Sequence, residues 1–477
     1  MTARLVELRR PTLGFRESPD GLRASVAFTW RRRTIGQAIG AAAAHIALGE
    51  RAFGDAVRQL AAVAPGPVAA VPRPRIPVVA ITGTNGKTTV TRLVIHIAQS
   101  AGLRVGATTS DGIVIRGDVV ERGDWTGYGG AGRVLAEPQL DLAVLETARG
   151  GILLRGIGYT RNDVSVVTNI SADHLGLQGI DTLDELADVK ASLVRLTRRD
   201  GWAVLNADDA RVWEMRREAR ARVYAFSLDQ ASPHADATLE RGGRAAVLDD
   251  EWLVLRAPGR APHRLARAAD VPITLAGAAS HNVANALAAA AAADAVGIDR
   301  DAIAVALRAF TPDADHNPGR LNLYRLDGRT VVIDFAHNEA GLRTLIDVCR
   351  RLSGGGRVCL GLGTAGDRSD EILVEMGATA ARGAHRVVIA EKPHYLRGRD
   401  RDSMKRLFRA GAADAGMEAA EIADYPSELD ALRALVADAR PGDVVALMCH
   451  AEREEVAAWL SSSGATRIDA REVLAGR

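Results

Sequence analysis

Lysine is nearly absent from this 477-residue chain, although arginine is common. Only four of the 61 basic residues are lysine, and they stand at Lys87, Lys190, Lys392 and Lys405. We interpret this bias as a consequence of genome composition. Arginine supplies neither a compact ammonium nor an amine that can lose its proton. Each lysine that remains is therefore a candidate for a chemical role.

The chain also has few cysteines, a low net charge and no long apolar run. Each of these features argues against a class of protein. The three cysteines follow no metal-binding spacing, which predicts packing roles in a reducing cytosol. A net charge of only +2 disfavours a nucleic-acid-binding or membrane-binding protein. The longest alanine-rich stretch, at about 284–296, contains Asp294 and is too short to span a bilayer. Because we also find no targeting segment, we expect a cytoplasmic protein.

The length and the order of sequence patterns predict three domains. Residues 1–74 form a small N-terminal domain with strand patterns at 5–8 and 23–30 and helix patterns across 34–62, and a proline-rich linker follows at 64–77. Residues 75–316 alternate buried-strand and helix patterns, which predicts a mostly parallel sheet with helices on both faces. Residues 317–477 repeat this alternation, which predicts a C-terminal Rossmann-like α/β domain. The expected fold class is α/β, and its predicted strands are 78–82, 105–108, 142–145, 164–168, 203–205, 321–326, 330–334, 358–362, 386–390 and 444–448, with short strands around 237–256.

A glycine-rich loop follows the first strand of the central domain and opens a helix. In such a P-loop, backbone N–H groups and the start of the helix face an anion. The lysine can reach the outer phosphates of a nucleotide, and the threonine after it can bind Mg²⁺. The first glycine of the general pattern is replaced by Ile81, and a glycine turn that only caps a helix is the alternative. The loop consists of Gly83, Thr84, Asn85, Gly86, Lys87, Thr88 and Thr89.

This loop resembles the nucleotide-binding loop of Mur ligases and folylpolyglutamate synthetases. Over roughly residues 76–450, further segments stand in the order that this superfamily uses: 145–151, 168–175, Lys190, 205–209, 281–286, 319–320 and 334–338. Within the superfamily, the chain most resembles the ligase half of cyanophycin synthetases, through segments 108–112, 146–151, 173–177, 318–323, 366–368 and 397–399. The ATP-grasp half of those enzymes has no counterpart in this sequence. Loop 123–130 also departs from their proline-containing form, and Glu339 stands in place of a proline.

The resemblance implies an ATP-dependent ligase that joins a carboxylate to an amine, which we expect to belong to an amino acid. Enzymes of this kind phosphorylate the carboxylate to an acyl phosphate, which the amine attacks, and they release ADP and phosphate. Both steps crowd anionic oxygens together, so cations must neutralise them. The expected cofactors are therefore ATP and Mg²⁺.

The same resemblance assigns the catalytic residues, Lys87, Glu146, His174 and Lys190. Thr88, Glu146 and His174 are expected to hold metal ions, and a carbamylated Lys190 is expected to add a carboxylate near the second metal. Only an amine can be carbamylated, which fits a lysine in an arginine-rich chain. The alternatives are a helix cap for Glu146, a packed core histidine for His174 and a solvated surface position for Lys190.

Four residues are expected to contact the nucleotide. The resemblance places Asn282 at the adenine, Asp334 at the ribose and Arg320 at the phosphates, and it adds His337 from the C-terminal domain. A turn residue at the end of a strand is the alternative for Asp334. A basic cluster later in the chain could hold an anionic substrate or lie in a solvated loop, and its members are Lys392, Arg397 and Arg399.

Two other functions compete with this interpretation. A folylpolyglutamate-synthetase-like enzyme, which adds glutamate to a pterin, is disfavoured by segment 146–151. A non-catalytic nucleotide-binding subunit of a separate ATP-grasp protein is disfavoured because Lys87, Glu146, His174 and Lys190 are all present. The expected partners are small-molecule or peptide substrates, without nucleic acid or membrane. A homo-oligomer or an ATP-grasp partner is left open.

Overall fold

The computed structural model describes residues 13–17, 24–28, 30, 32–68, 71–173, 175–312, 317–418 and 421–475. In the N-terminal part, strands β1 (Leu13–Glu17) and β2 (Ala24–Phe28) pair antiparallel, and helices α1 (Arg33–Ala47) and α2 (Phe53–Ala62) follow. The helical pattern predicted across 34–62 is confirmed as these two helices. The strand predicted at 5–8 lies outside the described residues.

The central part is built on one large sheet, in which eleven strands of the described residues take part. They are β3 (Val78–Thr82), β4 (Val105–Thr108), β5 (Gly112–Ile115), β6 (Asp118–Arg122), β7 (Leu142–Glu146), β8 (Asn162–Val167), β9 (Thr197–Asn206), β10 (Arg222–Ser227), β11 (Arg244–Asp249), β12 (Trp252–Arg256) and β13 (His263–Arg267). The inner strands run parallel in the order β11-β10-β9-β8-β3-β7-β4. The antiparallel pairs β12–β13 and β5–β6 extend the two ends. The inner strands have nearly continuous apolar sequences, because helices cover both of their faces.

The helices of this part are α3 (Lys87–Ser100), α4 (Tyr128–Leu135), α5 (Arg149–Arg155), α6 (Leu183–Arg195), α7 (Ala210–Glu214), α8 (Pro233–Glu240), α9 (Ser280–Ala295) and α10 (Arg300–Ala309). Alanines make α9 a core helix, because their small side chains allow it to pack closely on α3 and on the sheet. The strands predicted around 237–256 are wrong at their start. The side chain of Ser232 caps α8 there, and Pro233 occupies its first turn, which favours a helix.

The C-terminal part contains a second sheet with strands β14 (Asn322–Leu326), β15 (Arg329–Asp334), β16 (Val358–Leu362), β17 (Arg386–Ala390), β18 (Asp424–Tyr425), β19 (Val444–Met448) and β20 (Thr466–Arg467). Its order is β18-β17-β16-β19-β15-β14-β20, and only the pairs made by β14 are antiparallel. Its helices are α11 (Glu339–Ser353), α12 (Asp370–Gly383), α13 (Arg401–Asp414), α14 (Glu428–Asp438), α15 (Arg453–Ser462) and α16 (Ala470–Ala475). The expected α/β class is confirmed.

The sheet topology determines where a site can form. β3 lies between β8 and β7, and the three strands are parallel, so their carboxyl ends meet at one edge of the central sheet. The end of β15 in the second sheet faces this edge, as the contacts below show. The domain boundaries predicted near residues 74 and 316 stay predictions. Within the described part of the chain, no helix is long and apolar enough to cross a membrane.

Candidate active site

The P-loop lies between β3 and α3 and depends on two glycines with positive φ. Gly83 has φ 149° and Gly86 has φ 84°. A Cβ atom at Gly83 would lie 1.8 Å from Oγ1 of Thr168, and one at Gly86 would lie 2.3 Å from Oδ1 of Asn285. Backbone conformation and close packing therefore both require glycine at these two positions.

A pair of glycine substitutions separates these two requirements. Gly86→Ala is expected to lower the free energy of unfolding by about 3 kcal/mol, because it adds a steric clash to the strain of a positive φ. Gly102, just after the same helix, is the matched control: its φ is 82°, and a Cβ there would meet nothing within 4 Å. Gly102→Ala should lower the free energy of unfolding by only about 1 kcal/mol. Urea denaturation measures both values, and equal losses would contradict the packing role of Gly86.

Glu146 ends β7 next to the start of α3. Its Oε1 accepts a hydrogen bond of 3.0 Å from Oγ1 of Thr88. The side chain is buried, and its Oε2 has no protein hydrogen-bond partner. Burial raises the pKa of Glu146, and the nearby Lys87 ammonium opposes that rise. Glu146 does not cap the following helix, whose N-cap is Ala148, so its buried carboxylate has an oxygen available for a ligand.

Lys87 begins α3 and turns back onto the loop. Its Nζ donates a hydrogen bond of 2.7 Å to the carbonyl oxygen of Thr84. Desolvation lowers the pKa of Lys87, and the carboxylates of Glu146 and Asp173 oppose that effect. The ammonium is therefore held at the P-loop by the carbonyl oxygen of Thr84.

Lys190 lies on α6, and its side chain contacts the P-loop. It is only 3% exposed, and its Nζ donates a hydrogen bond of 2.7 Å to the carbonyl oxygen of Gly83. Burial places the pKa of Lys190 well below 10.5, and the positive charge of Lys87 lowers it further. The alternative of a solvated surface lysine is therefore wrong. Burial therefore favours loss of a proton from this amine, and the neutral amine is the form that reacts with carbon dioxide.

Asp173 connects the central part to the C-terminal part. It forms an ion pair of 2.9 Å with Arg368, and its carboxylate lies 3.6 Å from Nε2 of His337. His174, predicted as a metal ligand, lies outside the described residues. The role of His174 stays a prediction.

The end of β15 supplies the predicted residues of the C-terminal part. Asp334 accepts hydrogen bonds from the backbone N–H groups of Leu321 (2.9 Å) and Ala336 (2.7 Å). Burial raises the pKa of Asp334, and the neighbouring Arg320 opposes that rise. The guanidinium of Arg320 lies 4.4 Å from the ring centroid of Phe335, and this stacking holds the cation at the interface between the two sheets.

Asn282 lies at the start of α9 and is buried. Its Nδ2 donates a hydrogen bond of 2.9 Å to the carbonyl oxygen of Ile273, and its Oδ1 accepts one of 3.0 Å from Asn285. Both polar atoms of the Asn282 amide are therefore engaged within the protein. Asn282 lines the cavity described next, and its contact with the adenine stays a prediction.

An interdomain cavity of about 400 Å³ brings most of the predicted nucleotide residues together. Hydrogen bonds between the side chains of Asn85 and Asn338 join its two sides, at 3.1 and 3.4 Å. The remaining P-loop residues, including Lys87 and Thr88, are adjacent in sequence to this wall. The predicted residues that line the cavity are Asn85, Gly86, Thr89, Asn282, Arg320, Asp334 and His337.

A second cavity of about 350 Å³ adjoins the first and shares Arg320, Phe335 and His337 with it. We call it the reaction chamber. Its other lining residues are Ser110, Asp111, Asp124, Ala365, Arg368, Tyr395, Arg397, His450 and Arg453. Arg397 pairs with Asp367 at its rim. The chamber is therefore rich in arginine and suits anionic groups.

Sequence reasoning missed several of these residues. Arg368 belongs to segment 366–368, which carries part of the family resemblance. Its ion pair with Asp173 could not be predicted, because the two residues come from different parts of the fold. Asn338 follows a predicted residue and could have been found by that adjacency. His450 and Arg453 follow β19 without any motif, and only the folded chain places them at the chamber.

Lys392 corrects one expectation. It is 4% exposed, and its Nζ forms an ion pair with Glu428 and donates a hydrogen bond of 2.7 Å to the carbonyl oxygen of Met448. Glu428 in turn accepts hydrogen bonds from the backbone N–H groups of residues 450–452. Lys392 therefore stabilises the loop before α15, and it is not free to hold a substrate. A compact ammonium suits this buried position.

The residues present fit ATP and Mg²⁺. The P-loop forms a cradle in which side chains at Gly83 and Gly86 would clash, and the interdomain cavity adjoins it. The unpartnered Oε2 of Glu146, beside the hydroxyl of Thr88, offers hard oxygen ligands of the kind that Mg²⁺ prefers. The described residues contain no group of three or more His, Cys, Asp or Glu that could hold a metal ion. Mg²⁺ needs few protein ligands because it retains water and binds phosphate oxygens.

Two domain families match most of the central and C-terminal parts of this chain. The Mur ligase middle domain matches residues 81–293, and the Mur ligase glutamate ligase domain matches residues 319–450. Cyanophycin synthetase from Nostoc sp. is 39% identical over 76% of this chain, and the match covers 39% of the relative. The cyanophycin synthetase from Synechocystis sp. is 42% identical over 66% of this chain and 36% of the relative. The chain thus spans well under half the length of these curated relatives.

Other relatives are more distant. The UDP-N-acetylmuramoyl-L-alanyl-D-glutamate–2,6-diaminopimelate ligase from Corynebacterium efficiens is 28% identical over 82% of this chain and 72% of its own length. A bifunctional folylpolyglutamate synthase/dihydrofolate synthase, solved with Mn, AMPPNP and L-glutamate bound, has a TM-score of 0.60 at 19% identity and covers 82% of this chain and 91% of its own. A pseudomurein peptide ligase type C from Methanothermus fervidus has a TM-score of 0.57 at 19% identity, over 82% of this chain and 80% of its own. The two structures show a shared fold.

Proposed function

The chain belongs to the Mur ligase family, and from this premise we propose that it is an ATP-dependent ligase of the cyanophycin-synthetase type. It phosphorylates a carboxylate and joins it to an amine, which belongs to an amino acid. One observation carries the proposal: a P-loop lysine and the buried, half-unpartnered carboxylate of Glu146 lie beside a cavity between two α/β sheets. The cytoplasmic location stays a prediction.

The residues around the interdomain cavity bind and orient ATP. The N–H groups at the start of α3 face the phosphates, and Asn282 and Asp334 flank the nucleoside. Thr88 and Glu146 would hold Mg²⁺, which would supply positive charge and Lewis acidity at the phosphate oxygens. Lys87 and Arg320 add positive charge from the two sides of the interface. Charge that develops on the transferred phosphoryl group is thereby stabilised in place.

The reaction chamber holds the carboxylate and the amine. Its arginines orient anionic groups, and its position between the two sheets excludes water, which would otherwise hydrolyse an acyl phosphate. The ion pair between Asp173 and Arg368 and the hydrogen bonds between Asn85 and Asn338 keep the two parts together over this chamber. Closure of the domains is therefore part of the catalytic arrangement.

The nucleotide and phosphate products that the enzyme releases from ATP test the proposal. The full chain is incubated with ATP, Mg²⁺ and a panel of amino acids and short acidic peptides, and nucleotides and condensed products are measured by chromatography and mass spectrometry. We expect ADP and orthophosphate in step with a product that has lost one water relative to its two precursors. AMP and pyrophosphate would instead indicate an adenylating enzyme and overturn the proposed chemistry.

Glu146→Gln is expected to separate activity from stability. Loss of the carboxylate should lower kcat about 100-fold, since a proposed ligand of the Mg²⁺ that neutralises the reacting phosphate is lost. The same change should raise the free energy of unfolding by about 1 kcal/mol at pH 8, because the neutral amide removes a buried charge. Burial places the folded-state pKa of Glu146 above its ordinary 4.5. The ionised form therefore destabilises the fold at higher pH, and the gain should vanish as the pH falls towards 4.5.

The measurements are urea denaturation at pH 8 and pH 5 and ADP release under saturating ATP. Urea denaturation uses the metal-free protein, and ADP release is measured with Mg²⁺ present. A variant that loses stability at pH 8 would show that Glu146 is satisfied by protein contacts, which would contradict its role as an open ligand.

A further inference from the structure

A pocket of about 430 Å³ lies where the central part of the chain joins the C-terminal part, and we call it the hinge pocket. One wall consists of the loop before α9 and the end of α10. The other consists of β14 and the segment from β20 to α16. It shares no lining residue with the reaction chamber. The proposed chemistry leaves this pocket unused, although its volume is that of a site for a small molecule.

The floor of the hinge pocket is apolar. Leu275, Leu321 and Leu323 line it, and all three are buried. They belong to one hydrophobic cluster, although Leu275 comes from the central part and the other two come from the C-terminal part. Removal of apolar surface from water against these leucines favours a ligand with an apolar body.

The rim of the hinge pocket carries an excess of positive charge. Its described lining residues include three exposed arginines, Arg308, Arg467 and Arg471. Asp469 is the one acidic residue among them, and it pairs with Arg471 at 2.9 Å. Arg308 donates a hydrogen bond of 2.8 Å to the carbonyl oxygen of Leu265, which orients its guanidinium without neutralising it. The rim therefore favours a ligand that also carries an anionic group.

The backbone around the floor is strained. Leu275 has φ 53°, Ala276 has φ 55° and Leu321 has φ 52°, a left-handed region that residues with a Cβ atom rarely adopt. Such conformations persist only where the surrounding structure fixes them, and they cluster at ligand sites and switch regions. Two of the three residues line the hinge pocket, one from each part of the chain.

Leu321 connects the hinge pocket to the nucleotide cavity, because it lines both. It follows Arg320, and its backbone N–H group donates the hydrogen bond of 2.9 Å to Asp334, the residue proposed at the ribose. A ligand that packs against Leu321 therefore acts on the nucleotide site through one residue. Both parts of the chain wall the pocket, so a ligand that fills it stabilises the arrangement in which the nucleotide cavity is formed.

We propose that the hinge pocket is a regulatory site for a small organic anion with an apolar body, and that this anion strengthens the binding of ATP. An inorganic anion would leave the leucine floor uncovered, and a neutral apolar molecule would leave the arginines without a counter-charge. The coupling to ATP rests on the proposed function, whereas the binding of the anion does not.

Fluorescence titration of the full chain tests the binding and the class of ligand. The probe is 8-anilinonaphthalene-1-sulfonate, an apolar body with one sulfonate. N-phenyl-1-naphthylamine is its matched control, because it has the same body without the sulfonate. We expect the sulfonate probe to bind at least about 10-fold more tightly. Equal affinity for the two probes would overturn the anionic class.

Three variants locate the bound probe. Arg308→Ala/Arg471→Ala should weaken the sulfonate probe at least about 10-fold and leave the neutral probe unchanged. Thr311→Trp, at an exposed position that lines the pocket, should weaken both probes because the indole fills the space. Arg260→Ala, at an exposed arginine on the turn after β12 that lines none of these cavities, is the matched control and should change neither. Unchanged affinity in the first two variants, or an equal loss in Arg260→Ala, would overturn the assignment.

Calorimetric titration with AMPPNP and Mg²⁺ tests the coupling. Saturation with the sulfonate probe should raise the affinity for AMPPNP at least about fivefold, and AMPPNP should raise the affinity for the probe by the same factor, because coupling is reciprocal. Displacement of the probe by AMPPNP would place it in the nucleotide cavity and overturn the hinge pocket. An unchanged AMPPNP affinity would overturn the regulatory role. Failure of AMPPNP to bind at all would contradict the proposed function, and the probe titrations would still decide the binding of the anion.

Discussion

Lys87→Ala is expected to lower kcat by about 10³-fold while the fold is retained. The Nζ of Lys87 donates a hydrogen bond to the carbonyl oxygen of Thr84, and the negative charges of Glu146 and Asp173 favour its protonated form. It is therefore already positioned to neutralise the phosphoryl group during transfer. Alanine removes the charge and leaves a half-buried space, which a few waters can fill without unfolding the domain.

Lys87→Arg makes the test sharper. Arginine keeps the positive charge, but its planar fork is larger than an ammonium and does not fit the same tight loop. We expect Lys87→Arg to lose at least about 100-fold in kcat, because geometry as well as charge is required. Lys405 is the matched control, since it pairs with Asp402 at 2.9 Å on α13 and lines neither cavity of the site. Lys405→Ala should keep the wild-type rate.

The measurements are ADP release under saturating ATP and Mg²⁺ and circular dichroism of each variant. A folded Lys87→Ala protein that consumes ATP at nearly the wild-type rate would remove the P-loop assignment. An Arg variant that is fully active would show that charge alone suffices at this position.

Lys190→Arg is expected to be nearly as damaging as Lys190→Ala, although it conserves charge. Lys190 is buried against the carbonyl oxygen of Gly83, and burial keeps its pKa well below 10.5. Burial favours loss of a proton from the ammonium. The resulting amine can add to carbon dioxide and release a second proton, and the carbamate that forms is an anion beside the P-loop. Arginine stays positively charged and would repel a metal ion there. We expect both variants to lose at least about 100-fold in kcat.

Two further measurements distinguish carbamylation from a packing role. With ¹³C-labelled bicarbonate, the wild-type protein should show a carbamate carbon signal that is absent from Lys190→Ala. A short carboxylate such as formate should restore part of the rate of Lys190→Ala, because it replaces the missing anion. If Lys190→Arg keeps most of the wild-type rate, or if the signal is unchanged in the alanine variant, Lys190 serves only to hold Gly83 in place.

Local sequence determined most of the secondary structure. Strand β3, the P-loop glycines and helix α3 follow from a continuous apolar run, two turn residues and a helical pattern within about 25 residues. The same holds for the hairpin at Asp327-Gly328. The strands predicted around 237–256 are confirmed as β11 and β12, and only their start is wrong, because the cap formed by Ser232 and Pro233 begins a helix there.

The scarcity of lysine also carried information. It singled out Lys87 and Lys190, and the fold places both at the P-loop, with Nζ atoms on the carbonyl oxygens of Thr84 and Gly83. The same reasoning misjudged Lys392, because scarcity identifies a position that needs an amine without showing what the amine contacts. Only the burial of Lys392 against Glu428 reveals a structural role.

The tertiary structure alone decided which residues meet. Lys190 is 107 positions from Gly83, Asn338 is 253 from Asn85, and Arg453 is 342 from Asp111. No local pattern encodes such contacts, because they depend on how two separate sheets pack against each other. The sequence by itself therefore determined the P-loop and the types of side chain that we propose for ligation. The packing of the two sheets determined the reaction chamber, since it exists only between them.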